Sequence, residues 1–471
     1  MRRFTATLIV ATLSAYLLVV LGAMTAATDL STVALGHYGA AGLVWALVLV
    51  VAVRSWVDDH DRRVRLGSSL AFVVFPGQAL LGAATLRDLA VLGEQAHLLG
   101  GMLVFGSLLL TLVWHLDGEV DVGVARPSGV GSAAVEGAVP ASGTDRTTGE
   151  TGSAATAPSD DRSADETRSS DDRSARSPGT VSIKERASAY LTLTKPRLMW
   201  LLCLLALAGM ALTSVTGAVL DGVTVVATLA GGTLAIGAAG TFNHVYERER
   251  DQRMDRTSNR PLVSETVDPL RATVFGAALF VASMAVLLTF TNQLTAALTA
   301  FAAFYYAVIY TVVLKPSTTW NTVIGGGSGA LPAVIGWTAI TGTVGLPALL
   351  LAAVVFCWTP AHFYNLAIAC RDGYDEAGYP MLPVERGVAL ARRRILYWLG
   401  ATLLVAGGLG MVAEFTPVYA FVSAFAGLGF LWAVAEQYYR DTERAAYRSF
   451  YASNAYLGAV LLAIIFETAV A

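Results

Sequence analysis

Phe242-Asn243-His244-Val245-Tyr246-Glu247-Arg248-Glu249-Arg250-Asp251-Gln252-Arg253-Met254-Asp255-Arg256-Thr257-Ser258-Asn259-Arg260-Pro261-Leu262 begins where the apolar run over 222–243 ends. A helix continued through Asp251 puts Asn243, Glu247 and Asp251 at i, i+4 and i+8. They form one stripe of side-chain oxygens about 12 Å long. Such a stripe suits Mg²⁺, a hard cation that keeps some of its waters and bridges a few carboxylates to phosphate oxygens. Asp255 is a further acidic candidate. Arg256 and Arg260 follow, and a guanidinium matches a phosphate in a bidentate way. The plainer reading is a solvated loop whose charges only set topology. Against it, Asn243 lies near membrane depth, where polar groups are costly and tend to serve function.

The chain on either side is mostly apolar: 55% of its 471 residues are hydrophobic and 14% charged, where a soluble protein carries about a quarter charged. Four apolar runs, near 7–27, 38–56, 67–86 and 97–116, each approach the ~20 residues that cross a bilayer as a helix. Nine more follow near 198–217, 222–243, 272–290, 293–313, 321–341, 345–369, 395–412, 416–435 and 453–470. The pattern predicts an all-α polytopic membrane protein, with a four-span bundle (1–117), a linker (118–185) and a nine-span bundle (186–471). Met1-Arg2-Arg3 with the run to about Thr25 reads as an uncleaved first span rather than a signal peptide. Residues 118–180 hold 11 acidic and 6 basic side chains and no aromatic residue, too little apolar surface to offset the entropy of ordering. Disorder is expected there.

With thirteen spans and the N-terminus inside, 31 of the 32 Lys and Arg residues fall on the cytoplasmic side and only Arg87 outside. The expected location is the cell membrane, with the N-terminus, the linker and the acidic segments cytoplasmic and lipid on every flank. Cys203, Cys357 and Cys370 show neither metal-ligand nor pairing spacing. The basic residues lie in short loops, a pattern that excludes nucleic-acid binding.

A second acidic segment closes the sixth span of the long bundle. Trp358-Thr359-Pro360-Ala361-His362-Phe363-Tyr364-Asn365 leads to Arg371-Asp372-Gly373-Tyr374-Asp375-Glu376-Ala377-Gly378-Tyr379-Pro380-Met381-Leu382-Pro383. Both segments end even-numbered spans, so both face the same side. Two carboxylate clusters there can hold metal around one diphosphate.

With these motifs together, residues 190–470 resemble the intramembrane UbiA-type prenyltransferases, and among them the enzymes that farnesylate protoheme IX to make heme O. The resemblance rests on Leu193-Thr194-Lys195-Pro196-Arg197 and on 243–262 with its Met254-Asp255-Arg256-Thr257 core. Tyr310-Thr311 to Leu314-Lys315, Asn321 to Gly336-Trp337 with Gly325-Gly326-Gly327 and Pro332, Trp358–Tyr364 and Ala377–Val384 extend it. It implies carboxylates that hold Mg²⁺ on farnesyl diphosphate, basic residues that neutralise the leaving group, and heme B as the acceptor. By match, Asn243, Glu247, Asp251 and Asp372 serve metal and diphosphate, with Asp255 and Asp375 as additional metal candidates. Lys195, Arg256, Arg260 and Lys315 contact phosphate, and Tyr310, His362 and Tyr364 line the heme or cation pocket. The chain departs from the family at Glu247, where Asp is usual, and at Gly373, where an acidic residue is usual. The departure at Gly373 leaves open which of Asp372, Asp375 and Glu376 replaces that ligand. The rival readings are a prenyltransferase acting on a quinone or lipid, and a transporter or heme carrier that makes no bonds.

In the first four spans, His37 and His97 sit where the second and fourth runs begin, and two such residues on facing helices can ligate a heme axially. Tyr16-Leu17-Leu18 to Leu21-Gly22-Ala23-Met24-Thr25 and His97-Leu98-Leu99 resemble one half of heme A synthase, although Ala34 stands where that family has an acidic residue. This half is expected to be a heme-binding module, a structural remnant, or a partner in heme A synthesis. His60 and His115 read as plain loop and helix-end residues.

Overall fold

In the computed structural model, which describes residues 3–25, 31–85, 93–124 and 182–470, no strand occurs among the described residues. Among the described residues thirteen helices are long and apolar enough to cross a membrane. The first four are α1 (Arg3–Thr25), α2 (Ser31–Val57), α3 (Arg62–Thr85) and α4 (Gly93–Val124). A short α5 (Ile183–Leu193) precedes α6 (Pro196–Ala211), α7 (Gly222–Asp251), α8 (Pro269–Phe290) and α9 (Gln293–Phe304). The span of α9 continues as a π-helical stretch, Tyr305–Leu314. Then come α10 (Asn321–Thr341), α11 (Leu346–Ala369), the short α12 (Arg371–Glu376) and α13 (Leu382–Glu385), α14 (Val388–Val412), α15 (Pro417–Tyr439) and α16 (Glu443–Val470).

The edges of the expected linker are shorter than the sequence implies. Helix α4 carries on through residues 118–124, beside an Asp117–Arg393 ion pair of 2.8 Å that ties it to α14. At the far edge α5 opens on a capping box: Glu185 N–H donates to Ser182 Oγ and Ser182 N–H to Glu185 Oε2. Residues 183–185 are therefore helix. The rest of the linker (125–181) and Arg87 lie outside the described residues.

Sequence neighbours pack as spatial neighbours, as short loops require: α3 on α4, α7 on α8, α10 on α11, α15 on α16. The long bundle closes through α6 on α10 and through α11 on both α14 and α16. Where no water drives association, small residues let helices approach. A Cβ at Gly336 would stand 2.0 Å from Ala206 O, and one at Gly209 2.2 Å from Ala333 O. Helices α6 and α10 thus touch backbone to backbone. The first bundle packs into the second as well. Helix α1 lies along α14 and α15, Tyr16 Oη meets Ser423 Oγ at 3.0 Å, and one apolar core runs through both bundles.

Candidate active site

Asn243, Glu247 and Asp251 are 1%, 3% and 2% exposed, so the stripe faces inward at the end of α7. Each of its members already holds a cation. Lys195 Nζ donates to Asn243 Oδ1 and, at 2.9 Å, to Tyr306 Oη. Lys315 Nζ lies 2.5 Å from Glu247 Oε1, and Arg260 lies 2.5 Å from Asp251 Oδ2 and 3.9 Å from Glu247 Oε2. Three cations against two carboxylates leave a net positive mouth, suited to a polyanion.

Local structure explains each placement. Thr257 Oγ donates to Asp251 O at 2.8 Å, closing the end of α7, and successive tight turns over 254–263 carry Arg260 back to the carboxylates. Lys195 has φ 58° and ψ 54°, a left-handed backbone rare outside glycine. That strain turns its side chain onto α7, where Gly240 leaves room: a Cβ there would be 3.2 Å from Leu193 O and 3.4 Å from Lys195 Cγ. The π-helical stretch stacks Tyr306 on Tyr310 at 5.7 Å. It also directs Thr311 Oγ to Tyr306 O at 2.8 Å and lets it accept from Asn243 Nδ2 at 3.0 Å. Such stretches recur at functional sites. A Cβ at Gly325 would sit 2.3 Å from the Tyr310 ring, so this glycine of α10 is the seat for Tyr310.

Burial pushes the Lys195 ammonium down to about 8, with Glu247 pulling it partly back. Burial lowers Lys315 too, against the pull of Glu247. Tyr379 lies under two cations, Lys315 Nζ at 4.4 Å and the Arg250 guanidinium at 5.1 Å from its ring centre. Burial raises both the Tyr379 phenol and that of Tyr374, the latter to about 12. Arg256 reaches Tyr374 Oη at 3.5 Å.

Several expected residues are placed elsewhere. Asp372 is 88% exposed and its nearest cation is Arg371 at 3.8 Å; Asp375, Glu376 and Asp255 are exposed as well. None of them meets the stripe. Helix α12 has only six residues, and its inner face is taken by buried Tyr374, which packs with Tyr379 and Met254. A Cβ at Gly373 would meet only Met254 Cε at 3.7 Å, an ordinary contact, but this chain has no side chain there. His362 does not meet the stripe either: it stacks between Trp358 (4.2 Å) and Phe450 (4.3 Å), with Nδ1 2.7 Å from Ser453 Oγ. Tyr364, 3% exposed, belongs to the main apolar core. Tyr310 alone of the three reaches the mouth, through Tyr306. Glu247, by contrast, uses its extra methylene to meet Lys315.

Sequence reasoning missed Tyr306, Thr311, Thr257, Tyr374, Tyr379 and His244. His244 is 4% exposed beside the cation cluster, with no hydrogen-bond partner at Nδ1. Only adjacency to Asn243 pointed at it.

In the first bundle, the His37 and His97 rings face each other, centres 6.4 Å apart and planes 75° apart. His97 Nδ1 lies 2.6 Å from Gln78 O, and His37 Nδ1 has no hydrogen-bond partner. A Cβ at Gly22 or at Gly82 would come within 2.7 Å of His37 or His97 respectively, so two glycines make the space for the imidazoles.

A bundle of membrane-length helices that buries two carboxylates against three cations at one mouth is suited to a polyanion. The chain belongs to the UbiA prenyltransferase family, whose family model matches residues 200–457. It is 56% identical over 471 residues, the whole of both chains, to protoheme IX farnesyltransferase 2 of Natronomonas pharaonis. It is 43% identical to protoheme IX farnesyltransferase of Haloarcula marismortui, over 99% of this chain and 98% of that one. Among solved structures, digeranylgeranylglyceryl phosphate synthase aligns with 60% of this chain and 99% of its own, at 17% identity and a TM-score of 0.51. That likeness speaks to the fold alone.

Proposed function

We infer that the chain transfers the farnesyl group of farnesyl diphosphate to a vinyl group of protoheme IX (heme B), giving heme O, in a cell membrane with the mouth of the site cytoplasmic. Full-length similarity to relatives bearing that name supports the reaction. The observation that carries the site is the buried stripe of Asn243, Glu247 and Asp251 among three cations.

The donors fit Mg²⁺ in kind: Asn243, Glu247 and Asp251 present hard oxygens on one buried stripe. A cation that keeps waters and shares phosphate oxygens suits so open a set. Asn243, Glu247 and Asp251 would hold it, and it would supply positive charge to the diphosphate. As the allylic C–O bond breaks, charge grows on the leaving group. Lys195, Lys315, Arg260 and Arg256 stand preorganised to receive it, the arrangement that lowers such barriers. Tyr306 and Tyr310 present an apolar wall beside Lys195, which shields the allylic carbon until the vinyl carbon forms the new C–C bond. Water then adds the hydroxyl and releases a proton.

The test is a membrane assay with heme B and farnesyl diphosphate. Parent membranes should yield a more hydrophobic heme by chromatography, and Asp251→Ala none, at equal expression. Near-normal heme O from that variant would overturn the assignment.

Residues 1–117 act as a heme-binding module, and 186–471 as the catalytic unit. Two metal–imidazole bonds of about 2 Å each, with the half-widths of the rings, place ring centres about 6 Å apart, close to the 6.4 Å between His37 and His97. A partnership with heme A synthase follows if this heme is passed on. Purified chain reconstituted with heme should show a bis-histidine spectrum that His97→Ala abolishes; an unchanged spectrum refutes it.

A further inference from the structure

The first bundle has a second paired-histidine feature, at the opposite end from His37 and His97. A cleft of about 670 Å³ opens where α1 begins and α2 and α4 end. Antiparallel succession of spans places it at the same end of the protein as the Asn243–Arg260 mouth. Its walls carry Arg3 and Arg54 against one carboxylate, Asp58, and its floor is a cluster of three rings. Phe4 stands 4.2 Å from His60 and 4.8 Å from His115, and the two imidazoles are 5.0 Å apart. His115 is 4% exposed, and its Nε2 lies 2.9 Å from Thr5 Oγ1, which in turn meets Tyr439 Oη of α15 at 2.5 Å. The cleft thus sits on the seam between the two bundles.

The imidazole centres are too close for an iron between them, which needs about 6 Å. Three or more His, Cys, Asp or Glu do not converge on a metal among the described residues. The lip gives the class of ligand. Val53 and Val57 line the cleft and are 50% and 75% exposed, as befits residues that face acyl chains. Next to them Trp56 is 56% exposed, with its indole N–H on Ser69 and the Arg65 guanidinium 5.1 Å over its ring. An exposed tryptophan beside arginines marks the interfacial level of a membrane. A space at that depth with two guanidiniums inside and an apolar doorway matches a molecule with an anionic head and an apolar tail.

We propose that the cleft lined by Arg3, Arg54, His60 and His115 is a binding site for the phosphate headgroup of an anionic phospholipid. The guanidiniums take the phosphodiester, Asp58 takes headgroup hydroxyls, and the acyl chains leave past Val53 and Val57. Basic pockets between helices hold anionic lipids in this way.

The experiment uses the full chain in nanodiscs of phosphatidylcholine with a minor share of phosphatidylglycerol, followed by native mass spectrometry of the lipid retained. The parent should keep one more phosphatidylglycerol than Arg3→Gln/Arg54→Gln, with phosphatidylcholine retention equal. From two surface-level arginines the affinity loss should be about 30-fold. Arg63→Gln, at the same end but outside the cleft, should match the parent, and equal heme O production would show the variants folded. Equal phosphatidylglycerol retention by the double variant refutes the proposal. So does displacement by millimolar inorganic phosphate, which would mean a free-anion site, or a heme absorbance lost only in that variant, which would mean a tetrapyrrole.

Discussion

Glu247→Gln isolates the electrostatics of the mouth. In the parent, Lys315 Nζ and Glu247 Oε1 are 2.5 Å apart, with side chains 12% and 3% exposed. Removing one partner of a buried pair costs about 3–5 kcal/mol, because the other charge is left without compensation. The Tyr379 ring lies 4.4 Å from Nζ with Glu247 in place, so its cation–π attraction does not offset the loss, and the expected cost is about 3–5 kcal/mol. Lys315→Met, which strands Glu247 with Arg260 at 3.9 Å, should cost a similar amount. The double variant removes both charges and should cost much less than the sum, with a coupling of about 2 kcal/mol. The sign of the pH dependence is fixed too. The folded Lys315 holds its proton less tightly than the free side chain, so the unfolded chain binds more protons and stability rises with pH. Without Glu247 that effect grows, and the deficit of Glu247→Gln should shrink as pH climbs from 7 towards the free lysine value near ~10.4. Thermal unfolding of purified protein in detergent over that range gives both quantities. Additivity within about 0.5 kcal/mol, or a deficit independent of pH, would refute the buried-pair account.

Lys195 should make kcat/KM fall about tenfold per unit above pH 8, as its ammonium, held near 8 by burial, deprotonates. Lys195→Arg, charged at every accessible pH, should remove the fall; a parent profile flat to pH 9.5 contradicts this. Asp372→Asn and Asp375→Asn, both at exposed carboxylates, should leave turnover of farnesyl diphosphate within about twofold, as surface changes do, and a hundredfold loss from either would return them to the metal site. Gly336→Ala drives a methyl to 2.0 Å from Ala206 O, so thermal unfolding should show a loss of about 1–3 kcal/mol. An unchanged midpoint would mean that α6 and α10 do not touch.

The thirteen spans were legible because membrane crossing is a local demand: about 20 apolar residues in a row satisfy it whatever the neighbours do. The oxygen stripe was legible for a similar reason, since the helical repeat alone aligns Asn243, Glu247 and Asp251. The sequence also names Arg256 and Arg260 as candidate cations by nearness to the stripe, and Lys195 and Lys315 only through the family resemblance. What it could not contain is which face a short or irregular segment turns inward. Six residues of α12 present Tyr374 rather than Asp372 because the tyrosine can fill apolar space against Met254 and the carboxylate cannot. The left-handed Lys195 and the π-helical Tyr305–Leu314 break the regular repeats on which sequence reading depends, and both exist to bring a lysine to the stripe. His362 has the composition of a ligand but stacks between Trp358 and Phe450, a choice made by α16 from across the bundle. Sequence determined the spans, their order and the chemistry present at one mouth. Tertiary packing decided which side chains share that mouth, because contact between distant helices depends on shape and burial, which no local repeat encodes.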